Sequence, residues 1–190
     1  RFAYPDAAFD LRIDSLEVRK SETIAVVGPS GCGKTTLLNL IAGNLLAQTG
    51  SISVADVEIG SLKLGERQKF RIQKIGMISQ SFDLLDYLTV RENIALPYRV
   101  SGALKMNRRV KKVCEALAER TGIVQHLEKL PAQLSTGERQ RVAVCRGLIN
   151  QPELILADEP TGNLDPENQD RIISLLLEEA SRIGATVMMI

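Results

Sequence analysis

The sequence predicts an α/β fold built on a mainly parallel sheet that helices cover on both faces. Continuous apolar runs at residues 23–27, 75–78 and 154–157 are typical of buried strands. Segments with apolar residues at helical spacing separate these runs. The first run also leads through a glycine-rich loop directly into a helical segment. Strands that alternate with helices form parallel sheets, because each helix returns the chain to the end of the sheet where the previous strand began.

The first third of the chain contains several predicted strands around the glycine loop. Phe9, Leu11 and Ile13 alternate with polar residues, and the run at 23–27 predicts a strand buried on both faces. Five apolar residues after the loop predict an amphipathic helix: Leu37, Leu38, Leu40, Ile41 and Leu45. Four more lie between polar neighbours and predict further short strands: Ile52, Val54, Val57 and Ile59.

The remaining two thirds alternate between strands and helices. The strand at 75–78 is followed by a section from about 89 to 150 that has helical character and forms an insert. The strand at 154–157 precedes Asp165-Pro166-Glu167, which supplies an N-cap, a helix-starting proline and a first-turn acid to the next helix. Residues 185–190 begin another strand.

Composition limits the classes of protein that this chain can represent. It has 190 residues, enough for one domain, with 44% hydrophobic and 25% charged residues and a formal net charge of +1. No apolar run reaches the roughly 20 residues of a membrane helix. Three cysteines without C-x-x-C spacing argue against a disulfide framework and a zinc site, and favour a reducing cytoplasm. Because Arg1 is not preceded by methionine and Ile190 lies within an apolar run, we expect an excerpt of a longer protein.

The glycine loop has the strongest chemical signal in the sequence. It matches the full pattern G-x-x-x-x-G-K-[ST] with these residues: Gly28, Pro29, Ser30, Gly31, Cys32, Gly33, Lys34 and Thr35, followed by Thr36. Glycines allow backbone N–H groups to approach phosphate oxygens, and the helix dipole favours the same anion. Lys34 would reach the β- and γ-phosphates and Thr35 would hold Mg²⁺. The alternative is a glycine turn with a surface lysine, which does not explain the strand and helix on either side.

Two acidic residues follow the strand at 154–157. Asp158 and Glu159 lie at the carboxyl end of a predicted parallel strand, where open α/β sheets bind ligands. Asp158 is a candidate magnesium ligand, and Glu159 could accept a proton from an attacking water. The alternative is a solvated strand end with two acids. The phosphate loop in the same chain favours the functional interpretation.

Further motifs resemble those of the ATP-binding cassette family. Residues 134–138, with the sequence L-S-T-G-E, resemble the family signature L-S-G-G-Q, and Gln80 matches the glutamine of the Q-loop. Asp165 ends a segment that resembles the D-loop, and Tyr4 lies where the family has an aromatic residue that stacks on adenine. The resemblance covers essentially the whole chain. The signature separates this family from kinases, GTPases and helicases, which share the phosphate loop.

The resemblance implies a P-loop NTPase core with a mainly parallel sheet, an antiparallel β subdomain and an α-helical insert. It implies one domain over 1–190, cut at both ends, with a RecA-like core and β subdomain at about 1–87 and 151–190. The helical subdomain with the signature would occupy about 88–150. It also implies ATP and Mg²⁺ as ligands, with Glu159, Lys34 and Gln80 as catalytic residues. Thr35, Gln80 and Asp158 would hold the metal.

The resemblance further implies that two such domains pack head to tail. The signature residues of one domain would then contact the ATP bound by the other: Ser135, Thr136, Gly137 and Glu138. Ser135 and the free N–H groups near Gly137 begin a predicted helix, which makes a second anion site. A helix cap without an anion is the alternative. Thr136 and Glu138 depart from the family pattern, and the bulk of threonine beside phosphate could make the site close less easily.

The expected function is ATP hydrolysis coupled to transport by permease subunits at the cytoplasmic face of a membrane. Residues 88–97 and 159–165 look most like the lipoprotein-releasing and macrolide-exporting branch. A non-transport ATPase that regulates a membrane or cell-division complex is the alternative. No nucleic-acid partner is expected, and His126 is expected to be a surface or packing residue because it lies in the helical insert.

Overall fold

The computed structural model describes residues 1–5 and 9–190. In this part of the chain the strands are β1 (Phe2–Ala3), β2 (Asp10–Leu11), β3 (Thr23–Ala25), β4 (Ser53–Val54), β5 (Val57–Glu58), β6 (Ile75–Ser79), β7 (Leu154–Asp158) and β8 (Thr186–Met189). The α-helices are α1 (Lys34–Ile41), α2 (Leu64–Lys74), α3 (Val90–Ile94), α4 (Leu96–Val100), α5 (Arg108–Arg120), α6 (Thr136–Leu148) and α7 (Pro166–Ile183).

The central sheet has four strands in the order β3-β8-β7-β6, and every neighbouring pair is parallel. Two smaller antiparallel pairs, β1 with β2 and β4 with β5, accompany this sheet. The predicted fold class is therefore confirmed. The order brings the carboxyl ends of β6 and β7 side by side, with Ser79 opposite Asp158.

Alternate residues of β7 enter two separate cores, one on each face of the sheet. Ile155 and Ala157 pack into a core formed with helices α3, α5, α6 and α7. Leu154 and Leu156 pack into a second core with α1 and the β4–β5 pair. This arrangement follows from the two-residue period of a strand, and it explains why the run at 154–157 is apolar at every position.

Helix α6 approaches the sheet closely through two glycines. A Cβ atom on Gly76 would lie 2.2 Å from the backbone oxygen of Gly147, and one on Gly147 would lie 3.0 Å from the Ile78 side chain. Gly76 accepts no larger residue without a backbone shift, and a larger residue at Gly147 would require the Ile78 side chain to move. The contact holds α6 directly against β6, the outer strand on this side of the sheet.

The prediction that the strand at 23–27 is buried on both faces is wrong. Strand β3 is an edge strand that pairs with β8 alone among the residues described. Ile24 and Val26 pack against the core that contains α1, but Thr23 and Ala25 are exposed and Val27 is 88% exposed. The described elements leave the second face of this strand uncovered, so an apolar run alone did not establish burial.

Most predicted helices are present, and one helix was missed. Helix α1 follows the glycine loop, but it ends before Leu45, which was included in the predicted stripe. Asp165 caps α7 as expected, since its side chain accepts a hydrogen bond of 3.1 Å from the Asn168 N–H. Helix α2 was not predicted because it is mostly polar, although Phe70 packs half-buried against the core that contains α1. Glu66 in its first turn and basic residues in its last turn were the available signals.

Helices α3 to α6 lie within residues 88–150, in agreement with the predicted helical section. The division of the chain into a core and a helical subdomain stays a prediction. In the part of the chain described, every helix is too short or too polar to cross a membrane.

Replacing Arg120 by methionine should lower the free energy of unfolding by about 2 kcal/mol. Arg120 on α5 donates two hydrogen bonds, of 2.7 and 2.8 Å, to the carboxylate of Glu179 on α7. The Glu179 side chain is only 4% exposed, so the variant leaves a buried carboxylate with Arg182 at 3.4 Å as its remaining cation. Urea unfolding measures the difference.

Arg171→Met is the matched control for Arg120→Met. Its pair with Glu167 is exposed on both sides, and we expect a change below about 0.5 kcal/mol. Burial raises the pKa of Glu179, but the hydrogen bonds and charges of Arg120 and Arg182 together outweigh burial and lower it. The stabilisation is therefore complete at neutral pH and is lost as the pH falls through the folded pKa. A difference between wild type and Arg120→Met that persists in acid would contradict this account.

Candidate active site

The glycine loop joins the end of β3 to the start of α1 and is shaped by two left-handed residues. Gly31 has φ of 79° and Gly33 has φ of 100°, values that favour glycine. A Cβ atom on Gly33 would lie 2.6 Å from the ring of Phe9, whereas one on Gly31 would meet no atom within 4 Å. The loop is therefore packed against the protein at Gly33 and open at Gly31.

The first turn of α1 has the features of an anion site. No side chain of the described residues caps this turn, and the first hydrogen bond within it runs from the Leu37 N–H to the Gly33 oxygen at 2.8 Å. The N–H groups of residues 34–36 therefore have no partner within the helix. Together with the helix dipole they favour a negatively charged group such as phosphate.

The Lys34 ammonium lies over the loop that precedes it. Its Nζ atom donates hydrogen bonds to the backbone oxygens of Gly28 at 2.9 Å and Pro29 at 3.0 Å. These carbonyl groups hold the positive charge beside the open side of the loop. An anion bound by the backbone N–H groups would contact this charge, so the residues fit a phosphate group.

Thr35 and Asp158 meet although they are 123 residues apart in the chain. The Thr35 hydroxyl donates to the Asp158 carboxylate at 3.4 Å, between the start of α1 and the end of β7. Burial raises the pKa of Asp158, and the neighbouring charge of Glu159 raises it further, while Thr35 and Lys34 oppose the shift. A cation at this position would favour the ionised carboxylate.

Glu159 follows β7 in a strained backbone conformation. Its φ is 43°, in the left-handed region that residues with a side chain rarely adopt. Two backbone hydrogen bonds of 3.1 Å hold it there, from its own N–H to the Ile190 oxygen and from the Gly162 N–H to its oxygen. The chain leaves the strand abruptly here, and the Glu159 side chain is exposed at the tip of the sheet.

Gln80 lies beside the segment that follows Glu159. A Cβ atom on Gly162 would lie 2.7 Å from the Gln80 side-chain amide nitrogen. The Asn163 amide donates to the Gln80 backbone oxygen at 2.8 Å. The structure therefore brings Gln80, Asp158 and Glu159 to the carboxyl ends of two paired strands.

Tyr4 lies beside the first turn of α1. Its hydroxyl is 3.3 Å from the Thr36 hydroxyl, and its ring packs edge-on against Phe2 with centroids 4.9 Å apart. Phe9 is 5.8 Å away on a tilted plane. The residue is 39% exposed, so its ring remains accessible to a flat ligand such as a nucleobase.

The signature residues 135–138 begin α6 and form a capping box. The Ser135 hydroxyl accepts from the Glu138 N–H at 3.3 Å, and the Glu138 carboxylate accepts from the Ser135 N–H at 2.7 Å. Hydrogen bonds from Ser135 lower the pKa of Glu138. Glu138, which departs from the family pattern, thus stabilises the start of this helix. The N–H groups of Thr136 and Gly137 lie in the first turn and have no partner within the helix.

His126 contacts this capping box, and no sequence pattern predicted that contact. Its Nε2 atom lies 2.8 Å from a carboxylate oxygen of Glu138, and its side chain is 13% exposed. The pairing joins a turn before α6 to the first turn of α6. The chain between the two residues is largely irregular, so no helical or strand period could have indicated the contact.

Gln140 was also missed. It is fully buried on α6, and its side-chain amide donates to the Pro160 oxygen, directly after Glu159. A polar residue on the buried side of a predicted helix was the available signal.

The phosphate loop and the signature lie at the starts of different helices, α1 and α6. The phosphate loop follows β3 at one edge, whereas α6 packs on β6 at the other. Three strand spacings of about 4.8 Å separate these edges, or about 14 Å. In the described residues, no three or more His, Cys, Asp or Glu residues cluster as a metal site would require. A magnesium ion bound through Thr35, Asp158 and phosphate oxygens does not need such a cluster.

Both a family model and individual proteins match this chain. A family model described as "ABC transporter" matches residues 11–162. The methionine import ATP-binding protein MetN 1 of Bacillus cereus is 42% identical over 182 residues, covering 95% of this chain and 51% of the relative. The lipoprotein-releasing system ATP-binding protein LolD of Saccharophagus degradans is 38% identical over 180 residues, covering 95% of this chain and 78% of the relative.

A solved structure resembles most of the described fold. The post-hydrolysis dimer of the ATP-binding cassette MJ0796, bound to ADP and Pi, has a TM-score of 0.78 and 34% sequence identity. The match covers 92% of this chain and 76% of that chain. This chain spans about half the length of the MetN relatives.

Proposed function

The chain belongs to the ABC transporter family, and from that premise we propose that it binds and hydrolyses ATP as the nucleotide-binding unit of a transporter. The observation that supports this proposal most directly is the contact between Thr35 and Asp158 beside the uncapped first turn of α1. A phosphate-binding helix end and a carboxylate meet there. This combination suits a nucleotide that carries Mg²⁺ on its phosphates.

Each residue of the site has a distinct proposed role in ATP binding. The loop N–H groups and Lys34 bind the β- and γ-phosphates, while Thr35, Asp158 and Gln80 hold Mg²⁺. When bound, Mg²⁺ offsets the charge that develops on the phosphate oxygens. Tyr4 stacks on the adenine from beside α1. Its accessible ring and its contact with Thr36 support that position.

Hydrolysis is proposed to proceed by in-line attack of water on the γ-phosphorus. Glu159 accepts the proton of this water, and the bond between the γ-phosphorus and the β–γ bridging oxygen breaks to release ADP and phosphate. The strained backbone at Glu159 directs the carboxylate away from the strand toward solvent at the sheet tip. Gln80 lies next to Gly162 and can report the state of the γ-phosphate to the following segment.

The second proposal concerns assembly. The signature begins α6, whereas the phosphate loop leads into α1, and no hydrogen bond among the described residues joins these two segments. We propose that one nucleotide contacts a phosphate loop and a signature together when a second domain packs head to tail with the first. Ser135, Thr136 and Gly137 would contact the ATP of the partner domain, and Asp165 would lie at the same junction. ATP binding closes this dimer, and hydrolysis with product release opens it.

Coupling to a membrane permease completes the proposal. The relatives include a methionine import and a lipoprotein-releasing ATP-binding protein at 42% and 38% identity, so this sequence does not specify cargo. We expect the full-length protein to co-purify with an integral membrane subunit and to hydrolyse MgATP. Hydrolysis without any membrane subunit, together with nucleotide-dependent binding to a soluble protein, would favour the non-transport alternative.

A further inference from the structure

Arg146 on helix α6 binds the loop that follows Gln80. Its guanidinium donates hydrogen bonds to the backbone oxygens of Phe82, at 2.6 Å, and Asp83. Burial lowers the pKa of Arg146, and the charge of Asp83 partly opposes this shift. The two hydrogen bonds to backbone carbonyl groups compensate the partly buried charge of Arg146 and fix its side chain to another segment of the chain.

The segment that Arg146 binds is strained. Phe82 and Asp83 are consecutive residues with φ of 62° and 48°, and neither is glycine. The Asp83 carboxylate accepts hydrogen bonds from Ser81, at 2.7 Å, and from Ser79. These bonds enclose Gln80 in a turn whose shape depends on the two carbonyl groups that Arg146 holds. A change in the position of Arg146 would therefore move the Gln80 side chain.

The other end of this connection is the signature. Ser135 caps the same helix α6, and the guanidinium of Arg139 lies 5.9 Å from the centre of the Phe82 ring. The glycine contact between Gly76 and Gly147 holds the helix rigidly against β6. The capped start of α6 and the Phe82–Asp83 turn are thus joined through one continuous helix.

We propose that Arg146 is a positioning residue that sets the place of Gln80 and links it to the signature helix of the same chain. The inference rests on the proposed function, in which Gln80 acts on the ATP of its own chain and the signature acts on the ATP of the partner. In a dimer, Arg146 of each protomer then connects the nucleotide site where Gln80 of that protomer acts to the site where its signature acts. It does not contact nucleotide itself.

A double-mutant cycle on the full-length protein tests this inference. Arg146→Met should lower kcat for MgATP about 10- to 100-fold and raise the Mg²⁺ concentration needed for half-maximal rate. The affinity for ATP in the absence of Mg²⁺ should change less than about twofold, because Arg146 does not contact the phosphate loop. In a Gln80→Ala background the same substitution should lower kcat less than about threefold further.

Two further variants separate positioning from folding. Arg146→Lys keeps a charge that can donate to one carbonyl, so its kcat should lie between wild type and Arg146→Met. It also replaces Arg146→Met in the cycle if the methionine variant does not fold. Arg120→Met is the matched control, because it breaks the pair with Glu179 on α7 and not the hydrogen bonds to Phe82 and Asp83, so it should leave kcat and the Mg²⁺ dependence unchanged.

The inference is overturned if the losses from Arg146→Met and Gln80→Ala multiply, or if Arg146→Met leaves kcat and the Mg²⁺ dependence unchanged. An equal loss in Arg120→Met would also overturn it, since general destabilisation would then explain the effect. Failure of the proposed function would give a different experimental result. In that case the wild-type protein does not hydrolyse MgATP, or Glu159→Gln hydrolyses it normally.

Discussion

Replacing Glu159 by glutamine should reduce ATP turnover by about 10²- to 10⁴-fold while ATP binding is retained. The amide is isosteric with the carboxylate but cannot accept the proton of the attacking water. The phosphate loop, Lys34 and Thr35 are unchanged, so nucleotide affinity should stay within about twofold. Phosphate release under saturating MgATP measures turnover, and equilibrium binding of a fluorescent ATP analogue measures affinity.

The same variant should accumulate a dimer with ATP bound. If hydrolysis opens the dimer, a protein that binds ATP without cleaving it stays closed, and light scattering should show twice the monomer mass with ATP but not with ADP. Glu167→Gln is the matched control, because Glu167 is an exposed acid in the first turn of α7 that is not part of the site. Normal turnover in Glu159→Gln would remove this residue from its proposed role.

Replacing Ser135 by arginine should prevent closure of the dimer and abolish cooperative ATP turnover. The long charged side chain would occupy the space beside Thr136 and Gly137 in which the partner's γ-phosphate is expected. We expect no ATP-dependent dimer when this change is combined with Glu159→Gln, and a monomer affinity for ATP within about twofold of wild type. Light scattering and nucleotide binding on the same samples give both quantities.

Ser135→Ala distinguishes the loss of the helix cap from the steric effect of the arginine side chain in Ser135→Arg. It removes the hydrogen bond from the Glu138 N–H and should destabilise the helix start by about 1 kcal/mol, with no bulk added. The alanine variant should still form the ATP-dependent dimer when combined with Glu159→Gln. If Ser135→Arg instead weakens monomer binding and dimer closure equally, the signature serves the nucleotide of its own chain.

Two hydrogen-bonding side chains connect helix α6 to the site, besides the cap of this helix. Gln140 donates to the Pro160 oxygen, one residue after Glu159, and Arg146 donates to the carbonyl groups after Gln80. Both contacts join a helix at one edge of the sheet to loops at the carboxyl ends of β6 and β7. These two contacts therefore join the helix that begins at the signature to the segments beside Glu159 and Gln80, which are proposed to act in hydrolysis.

Local patterns in the sequence predicted the strand, glycine loop and helix at 23–41 and the acids that follow β7. These features depend on neighbouring residues: strand runs, glycine conformations and helix caps are short-range properties. The apolar pattern gave wrong predictions where the burial of a residue depends on elements distant from it in the chain. The run at 23–27 was predicted to be buried, yet β3 is an edge strand, and α2 was overlooked because it is mostly polar and none of its residues is fully buried.

The kinds of residues in the site, and their order along the chain, were determined by the amino-acid sequence. Only the folded chain decided which of them meet, such as Thr35 with Asp158, His126 with Glu138, and Arg146 with the carbonyl groups after Gln80. These pairs are separated by 123, 12 and more than 60 residues. Such contacts depend on strand order and on the close packing of α6 at Gly76 and Gly147, which no local period encodes.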